Sequence, residues 1–144
     1  MDNKLKELLK KQFPSIRVLI VDDMMPNIKN HKYVLSEMGF VDSNISHAKD
    51  GLQGLLKLTK FQPELIITDW NMPMTDGLKM VQKIRATKAF ADVAIIMITA
   101  EADKDLEQAK PYVQGILKKP YTIKDVEDQV FFAMAKYLAK KMQA

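Results

Sequence analysis

Five short apolar runs recur along the chain, and segments with a helical spacing of apolar residues separate them. The runs are IRVLIV (16–21), NISHA (44–48), ELIIT (64–68), VAIIMI (93–98) and GILK (115–118). Three of these runs are nearly continuous in Val, Ile and Leu, which is typical of strands that are covered on both faces. The pattern therefore predicts five strands, with the weakest signal at 44–48.

The segments between the runs predict helices with recognisable ends. Pro26 suits the first turn of a helix that closes at Gly39, and Asp50, Asp76 and Thr122 precede later helices as N-caps. The predicted helices cover 26–39, 50–61, 76–90, 103–110 and 122–142. Because strands alternate with helices, we expect an α/β fold with a parallel sheet.

The first residues form a separate feature. Leu5, Leu8, Leu9 and Phe13 follow one helical stripe with lysines around the remainder, and Pro14 separates them from the first strand. We interpret 1–14 as an amphipathic helical extension and 15–144 as one domain. A helix packed on that domain, or partly frayed, is favoured over a docking helix.

Composition narrows the functional classes. The chain of 144 residues suits one domain, with 47% hydrophobic and 28% charged residues, as in ordinary globular proteins. It has no cysteine, which excludes disulfides, zinc–thiolate sites and thiol nucleophiles. No apolar run approaches the roughly 20 residues that a membrane-spanning helix needs. We expect a cytoplasmic protein that does not insert into a membrane.

The net charge of +4 does not indicate a nucleic-acid partner, because the basic residues are concentrated at the two ends. Residues 1–14 carry four lysines and two acids, and residues 133–144 carry three lysines and no acid. The 15 basic and 16 acidic residues in between leave that part almost neutral. We therefore expect no binding to nucleic acid.

Polar residues gather where the predicted strands end. They are Asp22 and Asp23 after the first run, Asp69 after the third, Thr99 after the fourth, and Lys118 and Lys119 at the fifth. In an open parallel sheet, ligands bind beyond the carboxyl ends of the strands. Any one of these residues has a plain structural explanation as a cap or a solvated charge, but together they indicate a site.

The chemistry of that set points to a divalent cation and phosphate. Three neighbouring carboxylates repel one another and need a cation, and oxygen ligands suit Mg²⁺. With Lys119, the ion would screen the oxygens of an incoming phosphoryl group. A carboxylate beside the metal can then act as the nucleophile and form an acyl phosphate, and we assign that role to Asp69.

Four motifs carry a resemblance to a known family. VLIVDD, DWNMPMTDG, ITAEA and KKPYT resemble the receiver domains of bacterial two-component response regulators, in particular the stand-alone CheY-like type. The resemblance covers about residues 15–142. It implies a flavodoxin-like, five-stranded parallel sheet in the order 2-1-3-4-5, flanked by five helices, in addition to the N-terminal helix.

The resemblance also implies a role for each matching residue. Asp69 is the phosphoacceptor, and Lys119 contacts the phosphoryl oxygens. The remaining roles are Asp23 and Asp69 as direct Mg²⁺ ligands, Asp22 acting largely through water, Asn71 contributing its backbone carbonyl, and Thr99 with the amide of Ala100 receiving the phosphoryl group. The Lys119–Pro120 bond is expected to be cis.

The sequence departs from the family pattern on the output side. Receivers usually carry Tyr or Phe three residues before the site lysine, as a switch with the site threonine, and this chain has Ile116. Tyr121, just beyond Pro120, is the nearest aromatic residue and is the candidate to replace it in part. The segment EQAKPYVQG is also about two residues shorter than the family pattern.

The favoured function is a phosphorylation-controlled binding module, with a sensor histidine kinase as donor and an unidentified downstream protein as target. Chemotaxis is one pathway that fits. We do not expect an enzyme, apart from self-phosphorylation by small donors and slow self-dephosphorylation.

A Mg²⁺-dependent phosphatase with an aspartyl-phosphate intermediate is an alternative, but Asn71 stands where the acid that such an enzyme needs would be. A receiver that signals without phosphorylation is another. No output domain follows the last predicted helix, unless the chain is part of a longer protein.

Overall fold

A computed structural model describes residues 1–72, 76–100 and 106–143. Five parallel strands form one sheet, as the residue pattern predicted, in the order 2-1-3-4-5 that the family resemblance implied. The strands are β1 (Val18–Val21), β2 (Ile45–Ala48), β3 (Leu65–Asp69), β4 (Ala94–Thr99) and β5 (Gly115–Lys118). All five lie within or at the edge of the predicted runs, including the weak second one.

Helices connect the strands and cover the sheet. Those of the described residues are α1 (Asn3–Lys10), α2 (Met25–Met38), α3 (Gly51–Phe61), α4 (Gly77–Ala86) and α5 (Ile123–Met142). The helix predicted at 103–110 overlaps residues 101–105, which lie outside the described part; a 3₁₀ helix follows at Lys110–Tyr112. Residues that the structure describes contain no helix both long and apolar enough to span a bilayer.

Three predicted N-caps and the predicted end of α2 are confirmed, whereas the helix predicted at 76–90 ends at Ala86 and is followed by a 3₁₀ helix at Lys88–Phe90. Asp50 and Asp76 accept from backbone amides of α3 and α4, as N-cap residues do. Thr122 and Asp125 form a reciprocal capping box at the start of α5. Gly39 ends α2 with a φ of 113°, a left-handed conformation that glycine adopts without strain.

Two apolar layers enclose the sheet. One contains β-strand residues such as Ile20 and Ile96 and the inner faces of α2 and α5. The other contains the alternate strand residues, such as Leu19 and Met97, and the inner face of α4. Because both faces are covered, strands β1, β3 and β4 are buried at every residue, which explains their continuous apolar sequences.

The leucine pattern of α3 is only partly directed at the core. Leu58 is buried, but Leu52 and Leu56 remain 52% and 70% exposed. The helix instead turns Gly54 towards the sheet, where an added Cβ would lie 3.2 Å from a methyl carbon of Val21. The leucines of α3 follow a helical period, but that period does not show which of them face inwards.

Helix α1 packs against the domain through its last turn and the residues that follow. Leu9 and Phe13 are buried, and the Phe13 ring stacks on Phe40 with 4.2 Å between centroids. Leu5 and Leu8 of the same predicted stripe are 41% and 53% exposed. Half of the stripe thus contributes to the core and half faces solvent.

Candidate functional site

The carboxyl ends of four strands bring the predicted site residues together. Asp22 and Asp23 follow β1, Asp69 ends β3, Thr99 ends β4, and Lys119 follows β5. One oxygen from each of the three carboxylates lies within 4.8 Å of the others. The Lys119 Nζ lies 3.8 Å from Asp69 Oδ2. Residues up to 97 positions apart in the chain therefore form one polar cluster.

The three carboxylates of the cluster bring negative charge together at a partly buried site. Asp22 and Asp69 are 2% and 6% exposed, whereas Asp23 is more open to solvent. Burial raises the pKa of Asp69, and the neighbouring Asp22 carboxylate adds to that rise while Lys119 opposes it. Burial likewise raises the pKa of Asp22, against hydrogen bonds from Met24 and Asn27. A cation would therefore be stabilised here.

The Asp22 side chain is fixed by the first turn of α2. The Met24 amide donates to Asp22 Oδ1 over 2.9 Å, and Asn27 Nδ2 lies 3.4 and 3.3 Å from the two carboxylate oxygens. These donors occupy part of the carboxylate and hold it in place. Sequence analysis missed Asn27; its position in the first turn after the Asp pair is the signal that could have identified it.

Asp69 is positioned by a close approach of α4 to the end of β3. The Trp70 amide donates to Ile98 O over 2.9 Å, and the Gly77 amide donates to Trp70 O over 2.8 Å. A Cβ on Gly77 would lie 2.3 Å from Asp69 O and 2.9 Å from Trp70 Cα. Only glycine allows this approach. Gly77 lies in the quoted DWNMPMTDG motif, but its packing role was not predicted.

The lysine end of the cluster is tied to β4 through the backbone. The Lys119 amide donates to Thr99 O over 2.8 Å, and the Lys119–Pro120 bond is cis, as predicted. Thr99 is fully buried and the following Ala100 is exposed. Asn71, two residues after Asp69, is exposed beside the cluster. Residues 73–75 of the DWNMPMTDG motif and residues 101 and 102 of the ITAEA motif lie outside the described part.

The two switch candidates lie on opposite faces of the sheet. Ile116 of β5 packs against the layer that contains Met97, its neighbour in the β4–β5 pairing. Strand alternation places the Thr99 side chain on that same face, since Thr99 follows Met97 by two positions. Tyr121 packs against the other layer, with its hydroxyl 3.4 Å from His31 Nε2. Its ring therefore does not occupy the position of a residue at 116.

The donor set fits Mg²⁺. Its three carboxylates supply hard oxygen ligands of the kind that magnesium prefers, and Asp23 keeps one side of the cluster open to water and to an incoming group. The ion would be held directly by Asp23 and Asp69, and Asp22 would act on it largely through water. When bound, Mg²⁺ would neutralise the developing charge on a transferring phosphoryl group.

Comparisons with known proteins identify the family and the fold. Residues 18–131 match the family described as response regulator receiver domain. Chemotaxis protein CheY-3 of Vibrio cholerae is 35% identical over 122 residues, covering 81% of this chain and 92% of that protein. Chemotaxis protein CheY of Pseudomonas aeruginosa is 32% identical over 117 residues, covering 80% and 93%. The structure of Vibrio cholerae chemotaxis response regulator CheY4 aligns with a TM-score of 0.74 and 26% identity, covering 82% and 98%.

Proposed function

The chain belongs to the response regulator receiver domain family, and from that premise we propose that a sensor histidine kinase phosphorylates Asp69 in a Mg²⁺-dependent reaction. The observation that carries the proposal is the Lys119 ammonium 3.8 Å from Asp69 in a cluster of three carboxylates. A carboxylate that is buried, backed by two further acids and faced by an ammonium group is suited to receive a phosphoryl group.

Each residue has a defined part in the transfer. An Asp69 oxygen forms a bond to phosphorus while the P–N bond of the donor phosphohistidine breaks, and its electron pair returns to the imidazole. Lys119, 40% exposed, balances the charge of the transferred oxygens. Thr99 and the amide of Ala100 would receive the phosphoryl oxygens, and Asn71 would contribute its backbone carbonyl to hold the metal.

The signal is passed on by protein binding. Since the named relatives are chemotaxis proteins, chemotaxis is the pathway we propose first, with a cytoplasmic location. Phosphorylation would reposition Thr99, and Ile116 on the same face of the sheet would transmit the change without a ring rotation. We propose that residues 15–144 are the receiver and that 1–14 are an extension of it.

Asp69→Asn should abolish phosphorylation by acetyl phosphate in Mg²⁺, because the amide is a poor nucleophile. The covalent label is measured by mass spectrometry as an added phosphoryl group that hydroxylamine removes. Asp42→Asn is the matched control. Asp42 is an exposed acid just before β2, at the amino ends of the strands, whereas the aspartate cluster lies at their carboxyl ends. A phosphoryl group that persists on the Asp69→Asn protein would contradict the assignment.

A further inference from the structure

An apolar groove lies between α1 and the last turns of α5. It has a volume of about 880 Å³ and is lined mainly by leucine, alanine and methionine. Its lining residues are Leu5, Leu8, Leu9, Gln12, Ala135, Leu138, Ala139, Lys141 and Met142. Among the described residues, no acidic side chain lines it, and the one charged residue that does, Lys141, pairs with Glu64 at 3.5 Å. The floor of the groove therefore offers a partner apolar surface.

Large apolar side chains are left open to solvent along this groove. Leu5, Leu8 and Met142 are 41%, 53% and 86% exposed. Phe132, 50% exposed, lies one turn before Ala135 and about two turns before Ala139. It therefore extends the exposed apolar strip, formed by Leu5, Leu8 and Met142, along α5. Contiguous exposed apolar surface of this kind marks interaction sites.

Lysines border the apolar strip. Lys4 of α1 stands one turn before Leu8, Lys11 at the C-cap of α1 stands one turn after it, and Lys136 stands one turn after Phe132 on α5. All three are exposed, and within the described ranges none has a carboxylate at ion-pair distance. The groove thus combines an apolar floor with a basic rim.

The groove is at the far end of the molecule from the aspartate cluster. Helix α5 begins beside Lys119 and runs to the amino ends of the strands, where the Tyr137 hydroxyl donates to Glu64 Oε2 over 3.3 Å just before β3. Helix α1 leads into the start of β1 through the 3₁₀ turn Phe13–Ser15. A ligand in the groove would leave the Asp69 site accessible.

We propose that this groove binds an amphipathic helix of another protein, with an apolar stripe flanked by Asp and Glu. Apolar residues at one-turn intervals would enter the groove between α1 and α5, and flanking carboxylates would meet Lys4, Lys11 and Lys136. A second copy of the chain fits poorly, because a symmetric contact would bring the lysine rims together. A flat bilayer does not fill a concave groove. This site goes beyond the proposed phosphorylation.

The test uses two fluorescent helical peptides of about 18 residues that share one leucine stripe. One has glutamates beside the stripe and the other has lysines. Fluorescence anisotropy should give binding of the acidic peptide only, and Leu8→Ala should weaken it by about fivefold or more. Leu56→Ala is the matched control, because Leu56 is an exposed leucine on α3 outside the groove. Lys4→Glu with Lys11→Glu should reverse the preference between the peptides.

Two further measurements show where the peptide binds and whether its binding depends on Asp69. Backbone amide NMR shifts caused by the acidic peptide should fall on α1 and the end of α5, and Asp69→Asn should bind the peptide as the wild-type does. Equal binding of both peptides, shifts elsewhere, or no binding would overturn the proposal. Self-association in sedimentation that Leu8→Ala abolishes, or groove-dependent binding to anionic vesicles without peptide binding, would assign the groove to those occupants and would also overturn it.

Discussion

At the scale of single residues, His31 is a titratable side chain that the fold keeps neutral. It is 2% exposed on α2, and its ring stacks on Tyr121 with 6.1 Å between centroids. Burial, with a contribution from the Lys119 charge, lowers the pKa of His31 from 6.5 to about 4. The ring therefore resists protonation while the protein is folded.

His31 should make stability fall in mildly acidic solution. Between pH 6.5 and about 4 the unfolded chain binds a proton at this site that the folded protein does not. The free energy of unfolding should therefore decrease as pH falls through that window, by up to roughly 3 kcal/mol from His31. Urea unfolding at several pH values measures the slope, and His31→Gln should flatten it. An unchanged slope in that variant would contradict the buried neutral state.

The residues that form the site could be predicted from the sequence, but the residues that hold them in position could not. Asp22, Asp23, Asp69, Thr99 and Lys119 could be found because each follows an apolar run, and parallel strands end at one edge. Asn27 was missed, because its contact with Asp22 depends on the direction in which α2 leaves the sheet. Local sequence shows that Asn27 lies in the first turn after the Asp pair, but it does not show the direction that brings the Asn27 side chain to Asp22.

At the scale of elements, the spacing between α4 and β3 depends on one glycine. Gly77 begins α4, and its amide bonds to Trp70 O directly after Asp69. The atoms that an added Cβ would meet are backbone atoms, at 2.3 Å for Asp69 O. Backbone cannot rotate away as a side chain can, so the helix itself would have to move.

Gly77→Ala should destabilise the protein by about 2 kcal/mol and reduce phosphorylation, because displaced α4 shifts Asp69. Denaturant unfolding and acetyl phosphate labelling measure the two effects. Gly115→Ala is the matched control, since the nearest atom to its added Cβ is Oε1 of the flexible Gln129 side chain. Equal, small effects of both substitutions would show that the close approach at Gly77 does not position the site.

Helix positions were easier to predict than helix faces. The caps at Asp50, Asp76 and Thr122 are local signals, and each helix begins where its cap indicates. The rotation of α3 about its axis is set by Gly54 against β1, and leaves Leu52 and Leu56 in solvent. Four leucines on one short helix did not carry that information.

At the scale of the whole molecule, the aspartate cluster opposes folding when no cation is bound. Burial and mutual repulsion raise the pKa values of Asp22 and Asp69, so that their charged forms are less favourable in the folded protein near pH 7. Lys119 supplies one positive charge against three carboxylates. A divalent ion that binds only the folded state should relieve this repulsion.

Mg²⁺ should therefore stabilise the protein through Asp69 and its neighbours. At a free concentration of about 100 times the dissociation constant, the gain in unfolding free energy should be about 2.7 kcal/mol. Trp70, which is buried next to Asp69, should report the dissociation constant by fluorescence quenching. Asp69→Asn should lose most of the Mg²⁺-dependent gain, whereas Asp42→Asn should keep it. A flat titration in the wild-type protein would contradict the metal site.

The sequence by itself determined the five strands, their helical connections and the polar residues at the strand ends. Those features depend on hydrophobic period, caps and chain order, which are local properties of the sequence. Only the tertiary structure decided the 3.8 Å approach of Lys119 to Asp69, the opposite faces of Ile116 and Tyr121, and the half-exposed stripe of α1. These depend on how elements distant in sequence pack, because packing fixes the rotation and spacing that a periodic pattern leaves free.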